Sequence, residues 1–283
     1  MQLAFFVSLV AVASPQSQPD MRAVLSRLGT YSSAYHKQFR EFVATEERTQ
    51  KHWGHNLKLE QRTTIADYYV VSLPSAPGSM VEFRETLSVD GKPLKNARGK
   101  VVQFLNRPSA NRAAEAERIT KENKRYDLGL FKRFEEYTNM GLLYVDPRVQ
   151  RFVQYQLVAP EAGNVLMLRF REPGPNTVAR EDDRPAPASG TIYFTYPDVK
   201  VLKVDLVIHE DAPDGPPYVR CVVEYAPGPD GLMLPSRCRH FIPGMIDTAA
   251  PGAWESDAVY TNYRRFTSDV KLTVEEPVTS NPK

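Results

Sequence analysis

Cysteine is scarce in this sequence, 2 among 283 residues, too few to staple a disulfide-built scaffold, so the fold must rest on a hydrophobic core. An excess of charge of either sign is also missing. The 36 lysines and arginines are interleaved with 34 acidic residues, leaving a formal charge of +2, which excludes the basic footprint of a dedicated nucleic-acid binder. No apolar run approaches the ~20 residues needed to cross a bilayer as a helix, so an integral membrane protein is not expected. Specific motifs are absent too: there is no Gly-x-Ser-x-Gly elbow, no His-Glu-x-x-His, no phosphate-cradling loop and no dinucleotide fingerprint. Catalysis would have to come from a site assembled from distant loops, and no cofactor is implied. No repeat of fixed period runs along the chain.

What is present fits a globular protein with a real core. With 42% apolar and 25% charged residues, the chain suits one large domain or two small ones. Residues 1–13 carry a short apolar run ending in Ala11-Val12-Ala13, the small-x-small pattern of a cleaved export signal. No lysine or arginine precedes the run, and a buried N-terminal strand is the competing reading. No cysteine follows directly, which argues against a lipid anchor. The expected organisation is a signal peptide over 1–13, a tether over 14–19, a single α+β domain over 20–276 and a flexible tail over 277–283, in a periplasmic or secreted protein.

Spacing then assigns the elements. Val24, Leu25, Leu28, Tyr31, Tyr35, Phe39, Phe42 and Val43 follow the helical period, predicting a helix capped by Asp20 and reaching about Arg48. Strands are expected over 62–73 and 81–89, the latter with Phe83, Glu85, Leu87 and Val89 on one face. It should turn at Asp90-Gly91 into a short return that Pro93 confines to an edge. The helical period resumes over 108–145, predicting two inserted helices, the first capped by Ser109. Seven alternating segments follow, over 151–158, 165–171, 191–196, 199–208, 218–225, 232–241 and 258–274, with 173–190 as a mobile excursion. Helices inserted between two sets of strands give an α+β fold: a large curved antiparallel sheet, or half-barrel, packed against the long N-terminal helix and the two inserted helices.

Candidate site residues are few. If the strands of 218–225 and 232–241 form a symmetric hairpin, Cys221 lies directly opposite Cys238, close to disulfide geometry. Two buried thiols are the alternative. Glu85 on an apolar face requires a partner if buried, for which Arg264 and Arg169 are candidates, and reads either as a polar spot in a ligand cavity or as a local ion pair. Arg237 with Arg239, and Asn262 with Arg264, share strand faces; lining a concavity they would bind an anionic head group, whereas on a solvated face they would bind nothing. His52 and His55, with Glu46 or Glu47, are the nearest approach to a metal ligand set, but Gly54 between them breaks a helix, so they read as exposed helix-end histidines and no metal is expected. His209 and His240 read as structural.

The segments Phe83-Arg84-Glu85-Thr86-Leu87-Ser88-Val89-Asp90-Gly91-Lys92-Pro93-Leu94, Asn123-Lys124-Arg125-Tyr126-Asp127-Leu128-Gly129, Leu234-Pro235 and Asn262-Tyr263-Arg264-Arg265-Phe266 together resemble a family of uncharacterised exported proteins of soil bacteria. More distantly, Gly231-Leu232-Met233-Leu234-Pro235-Ser236-Arg237 with the sheet-plus-helix plan resembles the lipoprotein-carrier fold. That resemblance implies a half-barrel wrapped over helices around an apolar cavity. The functional expectation is a non-enzymatic binding or carrier protein for a lipid, acyl chain or hydrophobic peptide. The alternatives are an envelope scaffold that binds another protein, its concavity filled by its own helices, and a hydrolase with a loop-built site.

Overall fold

The structure, a computed structural model, describes residues 19–39, 42–53, 58–72, 80–106, 112–128, 137–158, 164–174, 177–178, 180–181, 184–209, 217–242 and 253–265. The expected signal peptide, most of the tether, Ser109, His55 and the tail lie outside them.

Asp20 opens the first helix: its Oδ2 accepts the Ala23 N–H at 3.1 Å, satisfying one of the donors that a helix start leaves unpaired. This helix, α1 (Met21–Phe39), buries Val24, Leu28, Tyr35 and Phe39 along one stripe. It does not continue to Arg48. Residues Phe42–Trp53 form a strand, β1, in which Phe42, Ala44, Glu46, Arg48 and Gln50 are buried on one side. Phe42 and Val43 happen to extend the helical spacing, while three members of the true alternating set are polar, so the period of two is invisible to a hydrophobicity pattern.

The other elements are β2 (Leu59–Ser72), β3 (Met80–Val89), β4 (Lys92–Pro93), α2 (Lys100–Asn106), α3 (Arg112–Lys124), α4 (Tyr137–Leu143), β5 (Gln154–Val158), β6 (Val165–Arg171), a small hairpin of β7 (Arg180–Glu181) and β8 (Arg184–Pro185), β9 (Ala188–Thr195), β10 (Val201–His209), β11 (Pro217–Pro227), β12 (Met233–Ile242) and β13 (Trp254–Arg265). All strands except β7 and β8 join one 11-stranded sheet in the order β4-β3-β2-β1-β13-β12-β11-β10-β9-β6-β5. Every pairing is antiparallel. The chain thus builds one wing of the curved half-barrel with β1–β4, the other with β5, β6 and β9–β13, and stitches the wings together where β1 meets β13.

Helices α1 and α4 cover the inner face. Tyr35 and Phe39 of α1 and Leu142 of α4 share one core with Leu168, Ile192, Phe194, Val204 and Leu206 of the sheet, and Tyr144 stacks on Phe170 at 4.6 Å between ring centres. On the outer face a second, smaller core joins Val43, Tyr69, Val71 and Phe83 to Val101 and Phe104 of α2 and Ala116 and Ile119 of α3. The β1–β3 wing therefore carries helices on its outer side as well, whereas the outer face of the other wing carries none among the described residues.

Several expectations need correction. Helix α2 has no counterpart among the predicted elements, and the second inserted helix is described only over Tyr137–Leu143. A register shift between Ile65 and Ala66 opposite β3 pairs Val89 with Thr64, so Val89 leaves the face that Phe83 and Glu85 share; a bulge adds one residue and inverts the alternation beyond it. The segment 173–190 is anchored rather than loose at its described ends: Ala186 and Ala188 are buried, and the Glu172 carboxylate accepts the N–H of Val178 at 2.7 Å and of Ala188 at 2.9 Å. Finally, Cys221 and Cys238 are not opposed. A shift between Glu224 and Tyr225 pairs Cys221 with His240 and Cys238 with Val223, and the sulfurs lie 3.6 Å apart as thiols rather than as a disulfide.

Candidate functional site

The acidic and amide residues and the arginines proposed as ligands in the sequence fall on the outer face or its margin, whereas Cys221, Cys238 and His240 fall on the inner face. Glu85 is buried, but its partners are backbone donors. Its carboxylate accepts the N–H groups of Gly99 at 2.9 Å, Lys100 at 2.5 Å and Val101 at 3.3 Å, fixing the start of α2. Burial raises its pKa while these three N–H groups oppose the rise. Arg264 does not reach it; the guanidinium goes to Asp67 at 3.1 Å, which sits across from Glu85. Arg237 pairs with Asp257 (Nε to Oδ1, 2.8 Å) and Arg239 with Glu224 at 2.7 Å, each in a surface ladder of opposite charges. Asn262 takes a positive φ of 52° beside the β1–β13 bulge. The structure brings Arg237 and Arg239 together but joins neither to Glu85 or Arg264. His52 lies on β1 with Nδ1 3.8 Å from Glu60.

The described residues enclose one large concave surface elsewhere. A groove of about 880 Å³ opens on the outer face of the second wing, where β5, β6, β9, β10, β11 and β12 contribute side chains in turn. Its walls combine Val207 and Phe241 with Gln154, Gln156, Arg169, Arg171 and Arg220, and Tyr155 and Phe170, whose rings belong to the inner core, border it. Phe241 is 41% exposed and presents its ring to the groove. Arg220 is clamped by Asp205 through Nε–Oδ1 at 2.9 Å and Nη2–Oδ2 at 2.6 Å, whereas Arg169, near β5 at the sheet edge, is exposed. In the same groove Ser189 Oγ lies 2.9 Å from His209 Nε2. Asp205, the groove's carboxylate, is turned to Arg220 instead of completing a hydroxyl–imidazole–carboxylate line.

No family model and no curated protein matches the chain. Solved structures do. A domain named for outer membrane lipoprotein sorting from Vibrio parahaemolyticus aligns with 8% identity and a TM-score of 0.37 over 89% of this chain and 94% of its own. A LolA superfamily protein from Nitrosomonas europaea gives 8% and 0.35, over 86% and 94%. A DUF1329 family protein from Desulfovibrio piger gives 9% and 0.37, over 88% and 95%. The resemblance to the lipoprotein-carrier fold is distant and concerns the fold alone. None of the described helices is long and apolar enough to cross a membrane.

The inner face of the first wing holds charges that sequence reasoning missed. Arg84 on β3 donates from Nε to Glu46 Oε2 and from Nη2 to Glu82 Oε2, both at 2.9 Å, and its guanidinium lies 4.8 Å over the Tyr68 ring. Thr138 and Asn139 of α4 donate to Glu82, and Tyr225 donates to the Thr138 carbonyl at 3.0 Å. Arg48 meets Asp127 alongside, and Gln50 bonds both Asp127 and the Leu128 N–H. A polar cavity of about 20 Å³ between them is roughly the size of one water molecule. The sequence signal was the charged run from Glu46 to Arg48, hidden by the helical assignment.

Burial drives the Glu82 carboxyl up from 4.5 to about 7 against the pull of Arg84, and likewise Glu172 up to about 7 against its two backbone donors. Each binds its proton more tightly in the folded chain than in the unfolded one. Their contribution to stability is therefore complete below about pH 4.5 and is lost as the pH rises to about 7. Urea midpoints measured across that interval should decline, and the decline should be shallower in Glu172→Gln, which loses one of the two contributions; a variant with the same pH slope as the parent would contradict the assignment.

Proposed function

We propose that this protein is an exported, non-enzymatic binding or carrier module of one domain, spanning residues 20–276, that holds an anionic amphiphile in the groove on the outer face of its second wing. The observation that carries this reading is the groove itself. Its volume of about 880 Å³ lies within the ~300–1,000 Å³ of typical small-molecule sites. Val207 and Phe241 offer apolar contact for a chain, and Arg169 is placed to meet an acidic head group. Export through residues 1–13 belongs to the same reading, as does a periplasmic or secreted location.

Titration with cis-parinaric acid, a fluorescent fatty acid, tests it. The expected result is saturable micromolar binding, weakened at least about tenfold by Arg169→Glu and by Phe241→Asp, since each removes one half of an amphipathic contact. The alcohol of the same chain should bind more weakly than the acid. Equal isotherms for parent and both variants would exclude the groove. The filling of the inner face by α1 and α4 favours the second reading, an envelope scaffold without ligand. Native mass spectrometry separates the two: protein from cells that releases extra mass into organic solvent is a carrier, whereas clean apoprotein points to a scaffold.

A further inference from the structure

On the inner face three soft or borderline donors converge. Cys238 and His240 stand two residues apart on β12 and so project from the same side of the strand; Cys221 on β11 is the direct cross-strand neighbour of His240. Cys238 Sγ is 3.6 Å from Cys221 Sγ and 3.7 Å from His240 Nε2, and one ligand atom from each of the three residues can be chosen so that all lie within 4.8 Å of one another. Around a tetrahedral zinc ion with Zn–S near 2.3 Å and Zn–N near 2.05 Å, neighbouring donors stand about 3.5–3.8 Å apart. Two of the three separations already have that size, and a small rotation about the side-chain bonds of Cys221 or His240 closes the third.

We propose that Cys221, Cys238 and His240 form a zinc site that bridges β11 and β12. Two thiolates and a neutral imidazole form the donor set of zinc centres that keep a fourth position open to water or a small ligand. The two cysteine protons leave to solvent as the Zn–S bonds form, so no electrons are exchanged, and the resulting complex carries no net charge. Neutrality matters here. Both cysteines are buried among Leu206, Val223 and Ala258, surroundings in which an uncompensated charge would be costly. The register also sets the metal against its main rival, a Cys221–Cys238 disulfide. Diagonal cross-strand positions have Cα atoms about 7–8 Å apart, beyond the ~4.4–6.8 Å of ordinary disulfides, whereas an ion between the sulfurs adds the missing reach. This inference is independent of the outer groove, which lies on the opposite face.

The test uses the full chain, purified with its thiols reduced and then treated with zinc or cobalt salts. Elemental analysis is expected to find about one zinc per chain, and cobalt to give the intense ultraviolet sulfur-to-metal band of a dithiolate site in tetrahedral geometry. Cys238→Ser should abolish the band. Because His240 is only half-buried, His240→Gln preserves the core and guards against misfolding as the explanation; it should weaken zinc at least about tenfold while keeping the sulfur band. Folded, reduced parent protein that leaves zinc in solution and gives no sulfur band would overturn the proposal. So would exported protein whose mass is two hydrogens short, with Cys221 and Cys238 joined.

Discussion

Replacing Arg84 with methionine is expected to destabilise the protein by about 3–5 kcal/mol, because it strands two carboxylates in the core. The side chains of Arg84, Glu46 and Glu82 are 8%, 1% and 2% exposed, so water cannot take over the role of the guanidinium. The loss should grow as the pH rises through about 7, where Glu82 gives up its proton. A triple variant, Glu46→Gln, Glu82→Gln and Arg84→Met, should recover most of the loss, since replacing a buried ionic cluster whole is far less harmful than removing one member. Urea unfolding at about pH 8 compares the three proteins. A single variant within about 1 kcal/mol of the parent would show that the cluster is hydrated in solution rather than dry.

Gly190→Ala is the second large effect. Gly190 lies in β9 beside β10, and a methyl group there would sit 2.3 Å from the Asp205 carbonyl oxygen and 2.6 Å from Cζ of Phe170. The first of these is backbone and cannot rotate away. The strands must separate locally or Phe170 must leave its stack on Tyr144, and overpacking of this kind typically costs about 1–3 kcal/mol. Because Gly190 and Phe170 also line the groove, binding of cis-parinaric acid should fall together with the melting temperature. Unchanged stability would mean that β9 and β10 leave room for a methyl group at this position.

How much of this was legible beforehand differs from element to element. Strand β3 with its Asp90-Gly91 turn could be read directly, because the positive φ values of 49° and 74° at these residues suit asparagine, aspartate or glycine and little else. Pro93 marked the sheet edge for an equally local reason, its missing donor. The strand β1 could not be read, since Glu46, Arg48 and Gln50 occupy its buried face and are tolerated there only because Arg84, Asp127 and the Leu128 N–H arrive from segments far along the chain. The same limit applies to the site. Arg237 and Arg239 looked like ligands for an anion because the acids facing them, Asp257 and Glu224, come from neighbouring strands whose register no single segment discloses.

By itself, then, the sequence determined the antiparallel character of the second wing, the start of the first helix, the hairpin and one edge of the sheet. Those are consequences of period-two patterning and of residues with special backbone conformations, each acting within a few positions. Only the tertiary structure decided which face the helices fill, which charges neutralise one another and that two thiols meet an imidazole. Bulges opposite Ile65 and beside Glu224 set those outcomes. One inserted residue moves everything beyond it to the other side of the sheet, at little cost to the local pattern.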